Sequence, residues 1–268
     1  MSMHFMHTQR MQSVSDTTEC GGKPVGRKAK LRRTLEDAAT VAAHQHGAIT
    51  RRQLVECGWT ERQIERWVGG QRLRSVARGV YVLTATPPSW ERRVSAAYLF
   101  SSRRARPAIV SHETAGAVFG FANCDRDRPI VLTAGAADRH PNPLAVLTRV
   151  SDLLPDDVIV GPLGIPMTSP ARTVLDLATR STRDEVIQAV IVDAVGRGVV
   201  TLDELELRFA KSAHRAGIVN VKRVLRRVKK EELRRIRREQ HRAEVLERRV
   251  IAAAQRARLK EERELLVA

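Results

Sequence analysis

The sequence predicts an α+β protein: an N-terminal winged helix-turn-helix, then an α/β domain, then a long basic C-terminal helix. Three observations carry this. Three helical segments with capping residues run from Lys30 to Gly70 and lead into a hairpin marked by Arg and Gly. Between Pro129 and Met167, short β-rich runs are punctuated by Pro, Gly and Asp, with helical patterns on either side. From Ile218 onward neither Pro nor Gly interrupts the chain. The expected division is a disordered tail at 1-29, the winged helix at 30-87, the α/β domain at 88-218 and a basic helical tail at 219-268.

Each element has a local reason. "KLRRTLEDAATVAAHQHGAIT" sets Leu31, Leu35, Ala38, Ala39, Ala42 and Ala43 on one stripe at helical spacing, and Gly47 ends it. Thr50 is placed to cap the short helix "RRQLVEC", which Gly58 breaks. Thr60 caps the next helix with Gln63 at capping-box spacing, and Gly69-Gly70 stop it. "RLRSVARGVYVL" reads as two strands around Ala77-Arg78-Gly79, with Gly79 supplying a positive φ. "SWERRVSAAYLFSS" is helical, and "AIVSHETAGAVFGF" reads as a strand, a Ser111 cap and a short helix. "IVLTA", "LTRV" and "DVIV" are strands. Ser169 caps "TSPARTVLDLATR" with Pro170 at the first helical position, where its missing N–H costs nothing. Thr182 caps "TRDEVIQAVIVDAVGRG", which closes at Gly198; "TLDELELRFA" follows, and Ile218 begins one or two long helices. Residues 1-29 are polar and aperiodic. Their "GGKPVG" lacks the Gly-Lys-Ser/Thr ending and the preceding strand of a phosphate-binding loop.

Charge narrows the class of partner. The chain carries 47 Lys+Arg against 30 Asp+Glu, net +17, a balance that favours a polyanion. Residues 51 to 78 hold seven arginines against three glutamates, net +4, and residues 222 to 264 hold 17 basic against 8 acidic residues, net +9. Most of the surplus therefore sits in the three-helix unit and in the tail. The tail reads equally as a solvated face laced with pairs such as Glu231–Arg235, or as an accessory phosphate-binding arm. Its apolar seam (Val221, Leu225, Val228, then Ala243, Leu246, Val250 and Ala253) slips phase near Glu232, so it signals self-association only weakly and leaves the oligomeric state open. Three widely spaced cysteines argue against a disulfide framework or zinc finger, and no apolar run reaches the length of a membrane span. A cytoplasmic protein without a membrane partner is expected.

The helix after Gly58 is the element most suited to meeting a polyanion. At about 100° per residue, Ile64, Trp67 and Val68 share one face and Arg62 and Arg66 the opposite one. A DNA-recognition helix is built this way, docking by its apolar face and offering the other to the major groove. Arg62 lies near the helix N-terminus, and an Arg fork suits the O6 and N7 acceptors of guanine. Arg72, Arg74 and Arg78 fall on the wing and would reach the backbone or minor groove. The candidate DNA-binding set is Arg51, Arg52, Thr60, Arg62, Gln63, Arg66, Arg72, Arg74 and Arg78. No catalytic or metal constellation accompanies it, and no cofactor is expected. His112-Glu113 reads as a packed histidine beside the Ser111 cap, Asp125/Asp127 and Asp156/Asp157 as solvated turns, and Arg172–Asp176 as a local i,i+4 pair.

"GAITRRQLVECGWTERQIERWV", "RLRSVARGVYVL", "VSHETAGAVFGF" and "GIPMTSPARTVLDLA", in this order over residues 31 to 228, resemble the AbiEi-type antitoxins of actinobacteria, members of type IV toxin–antitoxin systems. The resemblance implies an N-terminal winged helix on double-stranded operator DNA and an α/β antitoxin domain. It also implies a nucleotidyltransferase-like toxin as partner and repression of the shared operon. On this resemblance Arg62, Gln63 and Arg66 contact DNA, with the wing around Arg74 and Arg78. Many relatives continue into a Vsr-like nuclease domain, and "AEVLERRVIAAAQRARL" resembles its opening helix. The strands that carry that domain's metal-binding carboxylates do not follow by Ala268, so an enzyme is not expected. The alternative expectation is a DNA-binding protein derived from such a nuclease fusion, with no toxin partner.

Overall fold

Two threonines start the central pair of helices in the same way. Thr50 and Gln53 form a capping box at the head of α2 (Arg51–Glu56), and Thr60 and Gln63 form another at the head of α3 (Glu61–Gly69). Each such cap stabilises its helix by about 1 kcal/mol. Between them Gly58 takes φ +84°, a conformation that a side chain would strain, and so turns the chain. Trp59 in that turn donates its Nε1–H to the Thr34 carbonyl of α1 (Arg27–Ala43) at 3.0 Å. It also meets the ring of Trp67 edge-on at 4.9 Å. The structure, a computed structural model, describes residues 27–103, 107–138 and 140–267. The tail predicted at 1-29 lies outside these residues except for its last three, which belong to α1. On α1 the packed residues are Leu35, Ala38, Val41 and Ala42; Ala39 and Ala43, expected on the same stripe, are exposed.

A three-stranded antiparallel sheet completes the unit, in the order β1 (Ala48–Thr50), β3 (Val80–Leu83), β2 (Leu73–Ala77). With three residues β1 is too short to show a period, and the sequence pattern does not mark it. Alternation along the strands sorts side chains to two faces. Ile49, Leu73 and Tyr81 pack on the three helices with Leu54 and Ile64. Ala48, Val80 and Val82 face the other way and are covered by Ala96 and Leu99 of α4 (Trp90–Ser101). The opposite side of α4, carrying Trp90, Val94 and Ala97 at helical spacing, enters the second core. The boundary predicted at 87/88 thus falls just before a helix that both cores share.

The second core lies around a mixed five-stranded sheet. Its order is β6 (Val146–Val150), β5 (Val131–Gly135), β4 (Ile109–Val110), β8 (Pro166–Thr168), β7 (Val158–Val160). The β4–β8 and β5–β6 pairs are parallel, and the β4–β5 and β7–β8 pairs antiparallel. Leu132 and Met167 of the sheet pack with α5 (His112–Phe119), α6 (Pro170–Ala178), α7 (Asp184–Gly196) and α8 (Leu202–Ala210). The last helix, α9 (Ile218–Val267), is continuous. Ile218, Val221, Val224, Leu225 and Val228 are buried in this core, so the segment read as a basic tail from 219 begins as a core helix. Farther along, Leu233, Ile236, Leu246, Val250 and Ile251 face solvent. The chain is therefore α+β with a long C-terminal helix, and among the described residues no helix is long and apolar enough to cross a membrane.

Two sequence readings are corrected by buried polar structure. Asp157, expected in a solvated turn, is 1% exposed, and Arg172, expected to make one local pair, is fully buried. Arg172 donates Nε–H to Asp176 at 2.9 Å, Nη1–H to Asp157 at 3.1 Å and Nη2–H to Asp152 at 3.0 Å. Arg208 of α8 grips Asp157 with Nε and Nη2, and Arg215 reaches Asp176 at 2.7 Å and Asp152 at 3.3 Å. Three guanidinium groups thus face three carboxylates in one closed network that ties α6, α8 and the approach to α9 to the turn before β7. Burial raises the Asp176 carboxyl above its usual range despite Arg172 and Arg215. The less buried Asp152 is held below its usual range, because those arginines outweigh its loss of solvent. Two predicted caps also differ. At the head of α7 the capping position falls on Arg183, which makes no side-chain capping bond, so Thr182 does not serve. Ser111 occupies the capping position of α5 but makes no capping bond; its Oγ instead meets the Thr133 hydroxyl at 2.8 Å and His112 Nδ1 at 3.0 Å.

His112 itself gives stability a pH dependence. It is 2% exposed, and burial together with the Arg180 charge lowers its imidazole to about 4 from the ordinary 6.5. In the unfolded chain it takes a proton near 6.5, while in the fold it stays neutral. Its stabilising contribution is complete above pH 6.5 and is lost as pH falls toward 4. By pH 5 the loss should be about 2 kcal/mol. Urea melts at pH 7.5 and 5 should show it in the native chain and much less in His112→Asn, whose Asn tolerates the backbone φ of +51° found there. Equal losses in both proteins would rule this out.

Candidate nucleic-acid interface

α3 sits on the three-helix core through Ile64, which is 2% exposed, with Trp67 and Val68 partly buried beside it. Arg62 and Arg66 are exposed on the other side of the helix. Among the described residues neither guanidinium has a hydrogen-bond or ion-pair partner, so their donors are available to a ligand. Arg66 lies in the last turn, where a positive charge complements the helix dipole.

The structure divides the other candidate residues by what they already hold. Thr60 and Gln63 are spent on each other. Gln63 Oε1 accepts from the Thr60 backbone N–H at 2.7 Å and lies 2.8 Å from its hydroxyl, which leaves Gln63 only its amide NH2 to offer. Arg51 is paired with Glu61, Nε to Oε1 at 3.0 Å, which joins the starts of α2 and α3. Arg52 is exposed and paired with Glu56 at 2.7 Å. Arg72 lies over the ring of Trp67 at 5.4 Å, at the far end of α3.

The wing tip is fastened to the same surface. Gly79 takes φ +72° at the turn, and its carbonyl accepts from the Arg51 backbone N–H at 3.0 Å. The Arg78 carbonyl accepts from Arg103 Nη1 at 2.6 Å, leaving the Arg78 side chain exposed. Arg51, Arg78 and Arg103 are thus neighbours, and Arg51 ties them to the start of α3 through Glu61. No sequence signal points to Arg103. It lies 25 residues beyond Arg78, and only the packing of α4 on the sheet brings it to the wing.

Arg74 goes elsewhere. It pairs across the strands with Val82, whose side chain faces α4, so Arg74 projects to that side of the sheet and lines a cavity with Arg92 and Trp90. Among the described residues no group of three or more His, Cys, Asp or Glu side chains is arranged to hold a metal ion. No family model matches the chain, and no curated protein matches it. Among solved structures it is similar to the crystal structure of the Rv2827c protein from Mycobacterium tuberculosis, with 13% identity and a TM-score of 0.48 over 73% of this chain and 77% of that one. A likeness so remote does not speak to function.

Proposed function

We propose that the chain is a DNA-binding repressor acting in the cytoplasm, with α3 in the major groove of an operator and Arg78 on the flanking backbone. The observation that carries this reading is the pair Arg62 and Arg66, exposed, unpartnered among the described residues and opposite the apolar face that docks α3. Uncompensated arginines one helical turn apart suit guanine edges and phosphates, and the capped, well-packed helix holds them in place. The resemblance to AbiEi-type antitoxins extends the proposal to autoregulation of a type IV toxin–antitoxin operon and to counteracting a nucleotidyltransferase-like toxin.

Fluorescence anisotropy with duplex DNA from upstream of the gene tests the DNA reading. With about four phosphates neutralised, affinity should fall roughly a hundredfold between 50 and 200 mM salt. Failure to bind at low salt, or binding indifferent to salt, would reject it. For the antitoxin reading, co-expression should restore growth to cells arrested by a nucleotidyltransferase-like protein encoded beside this chain; continued arrest counts against it.

A further inference from the structure

Behind the wing, where the α4 side of the sheet meets the loops that lead into β5 and β6, lies a cavity of about 750 Å3. That volume is within the roughly 300–1,000 Å3 typical of small-molecule sites. Much of its wall is apolar, formed by Val76, Val82, Trp90, Ile130 and Leu144. Into this wall are set three arginines, Arg74, Arg92 and Arg93, against one carboxylate, that of the exposed Asp127.

Arg92 is the unusual member. It is 6% exposed, and its Nη1 donates to the carbonyls of Thr86 at 2.6 Å and Leu83 at 3.4 Å. Among the described residues no carboxylate pairs with it. Burial, with the Arg74 charge close by, lowers its pKa from the ordinary value. Arg74 has no partner among the described residues, and Arg93 has only the Arg126 carbonyl at 2.5 Å. A buried cation answered only by carbonyl dipoles is costly, and buried ions in proteins are normally paired. The contrast within this chain is direct, since buried Arg172 is met by three aspartates.

We propose that this cavity binds a small organic carboxylate with an aromatic or aliphatic body. The carboxylate is held in the forks of Arg74 and Arg92, and the body lies against Trp90, Val76 and Leu144. Planar guanidinium forks match a carboxylate in two-point contact, and the apolar wall selects against small inorganic anions. Because Arg74 and Val76 belong to β2, occupation braces the wing against α4 and alters operator affinity; this second statement rests on the DNA-binding reading above.

Isothermal titration of the full chain with 1-naphthoate and with its uncharged analogue 1-naphthamide tests the site without DNA. The acid should bind at least tenfold more tightly than the amide. Arg74→Ala, at an exposed position, should weaken the acid at least fivefold while leaving the thermal melt in place. Val76→Phe, which fills the cavity without touching a charge, should weaken acid and amide alike. No binding of naphthoate, equal affinity for the amide, or affinity unchanged by Arg74→Ala and Val76→Phe would overturn the site. In a parallel anisotropy titration, saturating naphthoate should change operator affinity at least threefold. An unchanged affinity would overturn the coupling alone, and a chain that binds naphthoate but no DNA would overturn the repressor reading and keep the site.

Discussion

Replacing Arg62 and Arg66 together by alanine should reduce operator binding roughly a thousandfold, about 4 kcal/mol, at a contribution of ~1–3 kcal/mol for each well-seated Arg fork on a base. The fold should be untouched. Both side chains are exposed and unpaired among the described residues, and alanine is the best helix former, so stability should move by less than about 0.5 kcal/mol. The two positions separate by readout. Arg62→Ala, nearest the helix N-terminus, should relax sequence preference more than it changes the salt slope. Arg52→Ala is the control: that side chain is exposed but already paired with Glu56, and its loss should weaken binding far less. Operator-specific binding that survives the double replacement would sink the assignment of α3 as the reading helix.

Asp157→Ala should strongly destabilise the second domain. It removes one carboxylate from between Arg172, fully buried, and Arg208, 7% exposed, and strips Leu154 N–H of its acceptor at 2.8 Å. Two guanidinium groups then remain in the core with less countercharge than before. Breaking a buried pair by deleting one partner costs about 3–5 kcal/mol. For a domain of this size that corresponds to a fall of about 10–15 °C in Tm. The neighbouring Asp156 is exposed and, among the described residues, meets only Lys211, at 3.7 Å, so Asp156→Ala should change stability by less than about 0.5 kcal/mol. Calorimetry on the two variants decides the matter: comparable losses would mean that the network does not hold the domain together.

These two predictions draw on different kinds of information. The face of α3 is legible in the sequence, since the positions of Ile64, Trp67, Arg62 and Arg66 follow from a period of 3.6 over a single capped helix. The importance of Asp157 is not. In sequence it stands beside Asp156 with the same surroundings, and its partner Arg208 lies 51 residues away. Arg172 and Asp176 show only their i,i+4 spacing, which any solvated helix surface can present. The same divide runs through the wing. Gly79 announces its turn, but the direction of Arg74 is set by its pairing with Val82 and by α4 behind it. Spacing along the chain therefore groups Arg74 with the candidate DNA-binding arginines, although it lines the cavity on the α4 side of the sheet.

By itself, then, the sequence determined what a few neighbouring residues can decide: the Thr50 and Thr60 caps, the Gly58 and Gly79 turns, the apolar face of α3 and the succession of helices, while the short strands β1 and β8 escaped it. These depend on backbone hydrogen bonds and side-chain periodicity within about one or two turns of chain. Only the tertiary structure decided that α4 serves two cores, that α9 starts inside one of them, and that three aspartates close on three arginines. It also decided that Arg92 lies buried, with no carboxylate paired to it among the described residues, beside a cavity with a largely apolar wall. The physical reason is that burial and charge pairing belong to the packing of distant segments. A charged residue carries the same local signature whether its neighbours in space are water, a carboxylate or neither.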